Sequence, residues 1–203
     1  HITPLQFNRM PQAALLAELH LPDSTLAVYK MRMDSLSREA TRNNEDPTAS
    51  QRAMRAFYDA HYLLADSLMA VAVRQMRDSI AKQPDEETAV VLSQMLHNQS
   101  WIALFAQKPG VAIPSALESL ELDSSNVGVL TNLGHGYLFS GQFDKALETY
   151  RTYTAWESTG VGVLLTDFFD LREAGIWNND VLKAMEAILQ RKLTEEERTN
   201  YGQ

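Results

Sequence analysis

Three acids, Asp167, Asp170 and Glu173, recur at intervals of three, which places them on one face of a helix. Grouped carboxylates can move protons or hold a cation. The same spacing also makes a plain solvated face, and with no second group of ligands in the chain that is the role expected here. His135 lies between Gly134 and Gly136. A phosphate loop needs free backbone amides at a helix N-terminus after a strand, whereas these glycines sit inside a helix-forming stretch. His135 is left with packing or contact to a bound partner. His20, His61 and His97 lack an acid or a second histidine at His-x-x-x-His spacing, so core or surface positions are expected for them. No Gly-x-Ser-x-Gly elbow marks a nucleophilic serine. There is no cysteine, which removes disulfides, thiolate zinc sites and thiol nucleophiles together. No catalytic residue, metal or cofactor is expected.

The surrounding chain favours helices. Leu, Ala and Met outnumber the β-branched residues, and no segment alternates with period two. A length of 203 residues with 45% apolar content suffices for one compact domain or a short repeat array. The net charge of -8, with basic residues scattered among acids, disfavours a nucleic-acid partner. No apolar run reaches the roughly 20 residues a bilayer span requires. A cytoplasmic or a periplasmic location fits. His1 reads as a tag remnant, with a leader or whole domains removed.

Helix signals follow in order. One helix starts near Pro11, and another covers about 25–42 with Leu26, Tyr29, Met33, Leu36 and Ala40 on a stripe. Asp46-Pro47 reads as a cap followed by a first-turn proline. No breaker follows before Pro84, which predicts either one helix of about 55 Å or a break near Asp66-Ser67. Phe57, Leu64 and Val71 form one seam there; Met54, Tyr58, Tyr62, Met69 and Met76 form another. Pro84-Asp85-Glu86-Glu87 opens a helix reaching Gln107, and Pro109-Gly110 is a turn. Further helices are expected over 111–122, 127–139, 143–156, 161–174 and 179–191, with Gly175 as a left-handed stop. Thr194 and Glu197 form a capping box for a last short helix. Met31, Met33, Met54, Met69, Met76 and Met95 fall at core spacing. Core packing is also expected of Trp101, Trp156 and Trp177, unless one of them is a surface anchor.

The stretch 127–157 carries Leu133, Gly134, Tyr137, Gly141, Phe143, Ala146 and Tyr150. Small residues stand where two helices cross, and large ones fill the gaps beside them. This pattern resembles a tetratricopeptide repeat, a family of paired antiparallel helices with a period of about 34 residues. One period earlier, Ser100 replaces Gly134, Ala112 matches Ala146, and Gln99 departs from Leu133. A copy ending at Pro84 would use Ala60, Leu63, Met69, Ala72 and Met76. Trp101-Ile102-Ala103-Leu104-Phe105, Asp167-Phe168-Phe169-Asp170-Leu171 and Glu173-Ala174-Gly175-Ile176 extend the resemblance over about 95–192, toward the ends of many bacterial members. In those, such arrays often follow an effector, protease-like or sensor domain.

The resemblance implies an all-α fold: a short right-handed array of helix hairpins, with a divergent segment at 1–45, repeats over 46–157 and capping helices over 158–203. It implies non-catalytic binding of a protein or peptide in an inner groove lined by Thr131, His135, Leu138 and Phe139. Asn132 stands where peptide-clamping repeats carry asparagine, but the neighbouring inner position is Thr131 and no basic residue supports a carboxylate clamp. Two alternatives remain: a regulatory appendage of a larger protein, and a helical enzyme or small-ligand binder with a deep polar pocket.

Overall fold

The computed structural model describes residues 47–84 and 86–202. The described residues form helices α1 (Ala49–Tyr58), α2 (Tyr62–Lys82), α3 (Glu86–Phe105), α4 (Pro109–Leu122), α5 (Val129–Phe139), α6 (Phe143–Trp156), α7 (Gly160–Glu173), α8 (Asp180–Leu189) and α9 (Glu195–Gly202), with no strand among them. The helices expected near Pro11 and over 25–42, with His20, Met31 and Met33, lie outside the described residues, as does the segment 1–45. No helix of the described residues is long and apolar enough to cross a membrane.

The break expected near Asp66-Ser67 lies earlier, at Asp59–His61, where Ala60 has φ 59°. The chain turns there because the His61 N–H reaches the carbonyl of Ala56 and the Ala60 N–H that of Phe57. These bonds close a helix end without glycine or proline, which is why composition did not mark it. The turn also corrects the two seams: Leu64 and Tyr58 are exposed, while Phe57 and Met69 are buried. Leu63 is exposed as well and Ala60 sits in the turn, so the copy expected to end at Pro84 is out of register. The start of α1 is capped by Thr48, and Asp46, the expected cap, lies outside the described residues. Thr48 Oγ1 accepts from the Gln51 N–H at 3.2 Å, and the Gln51 side chain accepts from the Thr48 N–H at 2.8 Å. At the other end the expected box forms: the Glu197 N–H donates to Thr194 Oγ1 at 3.1 Å, and the Thr194 N–H to Glu197 Oε2 at 2.8 Å.

Consecutive helices from α1 to α9 pack against each other, and α3 also meets α5 while α6 meets α8. The hairpins α3–α4, α5–α6 and α7–α8 turn on residues with positive φ: Gln107 at 56°, Gly141 at 78° and Gly175 at 78°. These positions are 34 residues apart. Each turn repeats one hydrogen bond, from Lys108 N–H to Ala103, Gln142 N–H to Tyr137 and Ile176 N–H to Leu171. The left-handed conformation disfavours side chains with a Cβ by roughly 1–2 kcal/mol. Gln107→Gly is therefore expected to stabilise the chain by roughly 1 kcal/mol, and Gly141→Ala to destabilise it by a similar amount, both readable from urea denaturation. Equal shifts of the same sign would contradict the shared geometry.

Three apolar clusters hold the described helices together. One spans α1 to α4 and takes in Leu171 and Ile176 from the end of α7; Phe57, Tyr62, Trp101 and Phe105 form its aromatic centre. The second joins α5 to α8 through Leu138, Ala146, Tyr150, Leu164, Phe168 and Met185. A third, of Ala116, Val129 and Leu133, joins α4 to α5, whereas part of the contact between α3 and α4 is polar. Ser93 and Ser119 exchange hydroxyl-to-carbonyl bonds of 2.9 and 2.8 Å. The Ser115 hydroxyl donates to Gln99 Oε1 at 3.0 Å. Gln99 departs from the leucine of the next hairpin because its buried amide has this hydroxyl to meet.

Candidate functional site

The clearest gathering of chemically capable side chains centres on His135 of α5. Its ring is fully buried. Nδ1 lies 2.8 Å from the Tyr150 hydroxyl on α6, and Nε2 lies 3.3 Å from Asp167 Oδ2 on α7. Phe168 stands edge-on at 4.9 Å, and Trp101 of α3 closes the other side at 6.3 Å. A carboxylate only accepts, so in the neutral ring Nε2–H donates to Asp167 and the Tyr150 O–H donates to Nδ1. Burial, reinforced by the Asp167 charge, pushes the Tyr150 hydroxyl well above its ordinary pKa, so it stays a neutral phenol. The same two causes, with Glu157 added, raise Tyr153.

The helices bring these groups together for reasons visible in their packing. A Cβ on Gly134 would come within 2.3 Å of the Tyr150 ring, so only glycine lets that ring lie flat on α5. Gly136 likewise faces Ile113 of α4, where a Cβ would lie 2.8 Å from Cγ1. Both glycines sit inside α5 and serve close packing, with no free amides for a phosphate. Leu133 and Ala146 are buried, and Tyr137 and Phe143 are half-buried.

Of the residues expected to line an inner groove, Thr131, His135 and Leu138 are buried, and Phe139 is half-buried against the first apolar cluster. This corrects the expectation of an open groove at these positions. The physical reason is that α3 and α7 meet α5 from both sides, and Trp101, Phe168 and Asp167 occupy the space a ligand would take. Asn132 is also buried, its amide donating to the His97 carbonyl at 3.2 Å and to Ser100 Oγ at 2.8 Å.

Of the three acids of α7, Glu173 is exposed as a solvated face requires, whereas Asp167 is half-buried and Asp170 is buried. Asp170 is 9% exposed, and its Oδ1 has no hydrogen-bond partner. Burial raises its pKa to about 7, with the charges of Asp167 and Glu173 adding to the effect. His97 of α3 is half-buried and donates from Nδ1 to Asn126 Oδ1 at 3.1 Å. Burial lowers its pKa, while the Asn126 bond and the Asp167 charge oppose that. His61 is exposed at the start of α2. No group of three potential metal-ligating side chains occurs among the described residues.

No family model matches the chain, and no curated protein matches it.

Two surface features stand out, the first at a tryptophan for which a surface anchor was the alternative to core packing. Trp156, at the end of α6, is 74% exposed, unlike the half-buried Trp101 and Trp177. An open concavity of about 510 Å³ lies beside the turns α1–α2 and α3–α4, lined by His61, Tyr62, Leu63, Leu64, Phe105 and Gln107. Behind it, the buried Asp66 takes Lys108 Nζ at 2.6 Å. The turn at Asp59–His61 is what exposes Leu63, and without it neither leucine could be assigned to the surface. A second concavity near Phe143 is ringed by charges that neutralise each other: Glu186 takes Lys192 and Arg198, and Arg191 holds Glu197 down to about 2.

Proposed function

We propose that this chain is a non-catalytic binding scaffold of the tetratricopeptide type, with a protein or peptide segment as its partner. The observation that carries the reading is the recurrence of one hairpin turn at Gln107, Gly141 and Gly175, with the same hydrogen bond and a step of 34 residues. On this reading α3–α4, α5–α6 and α7–α8 are successive repeats of a right-handed stack. The hairpin α1–α2, whose turn lies 47 residues before that of α3–α4, is a divergent neighbour. The exchange of small and large residues also follows the repeat. Gly134 faces Tyr150 in the middle hairpin, and the equivalent pair one repeat later is Phe168 and Ala184, both fully buried.

The Tyr150–His135–Asp167 relay has the atom types of an acid–base site, but both rings are fully buried among aromatic neighbours and neither of the two concavities described above is lined by them. The surfaces open to a partner are apolar: Trp156, and the Leu63–Leu64 edge of the concavity. An exposed tryptophan has the area and rigidity of a binding hot spot, where truncation commonly costs about 2 kcal/mol or more. The test is capture of a stoichiometric partner by the full chain, followed by calorimetric titration of the segment that binds. Trp156→Ala, or the double change Leu63→Ala with Leu64→Ala, is expected to weaken that titration at least about tenfold. Unchanged affinity in both variants, or no saturable protein partner, would overturn the reading.

A further inference from the structure

Helix α7 is held against the rest of the molecule by two opposed sets of contacts. Its apolar residues Leu164, Phe168 and Leu171 are fully buried. Phe168 meets His135 at 4.9 Å and Tyr150 at 5.8 Å. Yet the face it turns inward also carries acids. Asp167 is placed on His135, and Asp170, three residues on, is buried with an unpartnered oxygen. Glu173, three residues further on, is exposed beside this face. The helix itself is weakly built. It opens on Gly160-Val161-Gly162-Val163, poor helix formers all four, and ends at the left-handed Gly175. No side chain caps its start.

We propose that α7 is a proton-governed cover over the inner face of α3 and α5. It is seated when Asp170 carries a proton, and loosened when Asp167, Asp170 and Glu173 are all charged, which bares Trp101, His135 and Phe168. Among the described residues, no ion pair joins Asp170 or Glu173 to a cation. From α5 the facing group is His135, whose Nε2 lies 3.3 Å from Asp167. From α6 they are the neutral phenols Tyr150 and Tyr153, with Glu157 at the junction adding a further negative charge. From α3 it is His97, whose burial disfavours its charged form. On α8, Lys183 is taken by Asp180 at 2.8 Å. Arg172 of α7 lies over the Trp177 ring at 6.0 Å. Raising the pH therefore adds negative charge at the buried Asp170, with no cation gained among the described residues. The purpose of such a cover, controlled access to an inner binding face, rests on the scaffold reading; its existence does not.

Hydrogen exchange of the full chain tests this without any partner. Opening of α7 is measured relative to α3 at about pH 6 and about pH 8.5, each corrected for intrinsic exchange. Opening of α7 relative to α3 is expected to rise about tenfold or more across that interval. Asp170→Asn is expected to abolish the rise and leave α7 as protected at the higher pH as the wild type is at the lower. If α7 and α3 move together at every pH, or if the variant keeps the whole rise, the cover does not exist. The wild-type series is decisive by itself, so a variant that fails to fold leaves the test intact. A cover found with no partner overturns only the scaffold reading; a partner bound with α7 fixed overturns only the cover.

Discussion

Gly134→Ala is expected to destabilise the wild-type chain by about 2 kcal/mol and to stabilise the Tyr150→Ala chain by about 1 kcal/mol. The added methyl would lie 2.3, 2.6 and 3.0 Å from three carbons of the Tyr150 ring. That ring has no room to swing: it is fully buried, its hydroxyl is bonded to His135, and Phe168 stands edge-on beside it. Overpacking of a filled core costs roughly 1–3 kcal/mol, and a contact this deep belongs at the upper end. Against it stands the helix preference for alanine over glycine, about 1 kcal/mol. With the ring removed the clash vanishes and only the preference remains, on top of the roughly 3–5 kcal/mol lost to the cavity. Urea denaturation of the four chains gives the coupling directly. The same sign for Gly134→Ala in both backgrounds would show that the glycine is not there for the tyrosine.

Asp170→Asn is expected to raise stability above neutral pH by at most about 4 kcal/mol, and to change little near pH 4. Burial first, then Asp167 and Glu173, raises this carboxyl from 3.8 to about 7 in the folded chain. Below pH 4 both folded and unfolded chains hold the proton, so the group is neutral in its effect. Between about 4 and about 7 the unfolded chain releases its proton while the folded chain keeps it, and stability falls with rising pH. Above that interval the loss is complete. Asparagine keeps the shape without the charge, so its advantage must grow over the same interval. Thermal melts at about pH 4 and about pH 8 decide the matter. An advantage that is flat across pH would assign the gain to something other than the charge.

The middle hairpin was the most legible part of the chain. Its helix over 143–156 appears at those bounds, and Gly141 turns where a glycine was expected to turn. Local chemistry explains that success: a left-handed turn residue, a small residue at the crossing and apolar residues on one stripe each leave a mark in composition. The turn at Asp59–His61 left none, because backbone hydrogen bonds close it around Ala60. The site was less legible than the fold. Thr131, His135 and Leu138 share one face of α5, as spacing required. Whether that face looks at solvent or at a neighbour depends on α3 and α7, which lie one hairpin away in either direction. The acids of α7 were misjudged for the same reason. Spacing placed Asp167 and Asp170 side by side, and only packing reveals that Asp170 is buried with a lone pair unmet. The serine seam between α3 and α4 did leave a trace, since Ser93, Ser100, Ser115 and Ser119 recur at intervals of seven and four.

The pairing of each helix with its neighbours along the chain also sets how the molecule is assembled in time. The strongest packed partners are next in sequence, and the exceptions, α3 with α5 and α6 with α8, skip a single helix. Joining such partners closes short loops, whose entropic cost is small, and proteins dominated by local contacts fold in microseconds to milliseconds. Leu171 and Ile176, which join the cluster of α1 to α4 from beyond α6, are left to dock once the hairpins on both sides have formed.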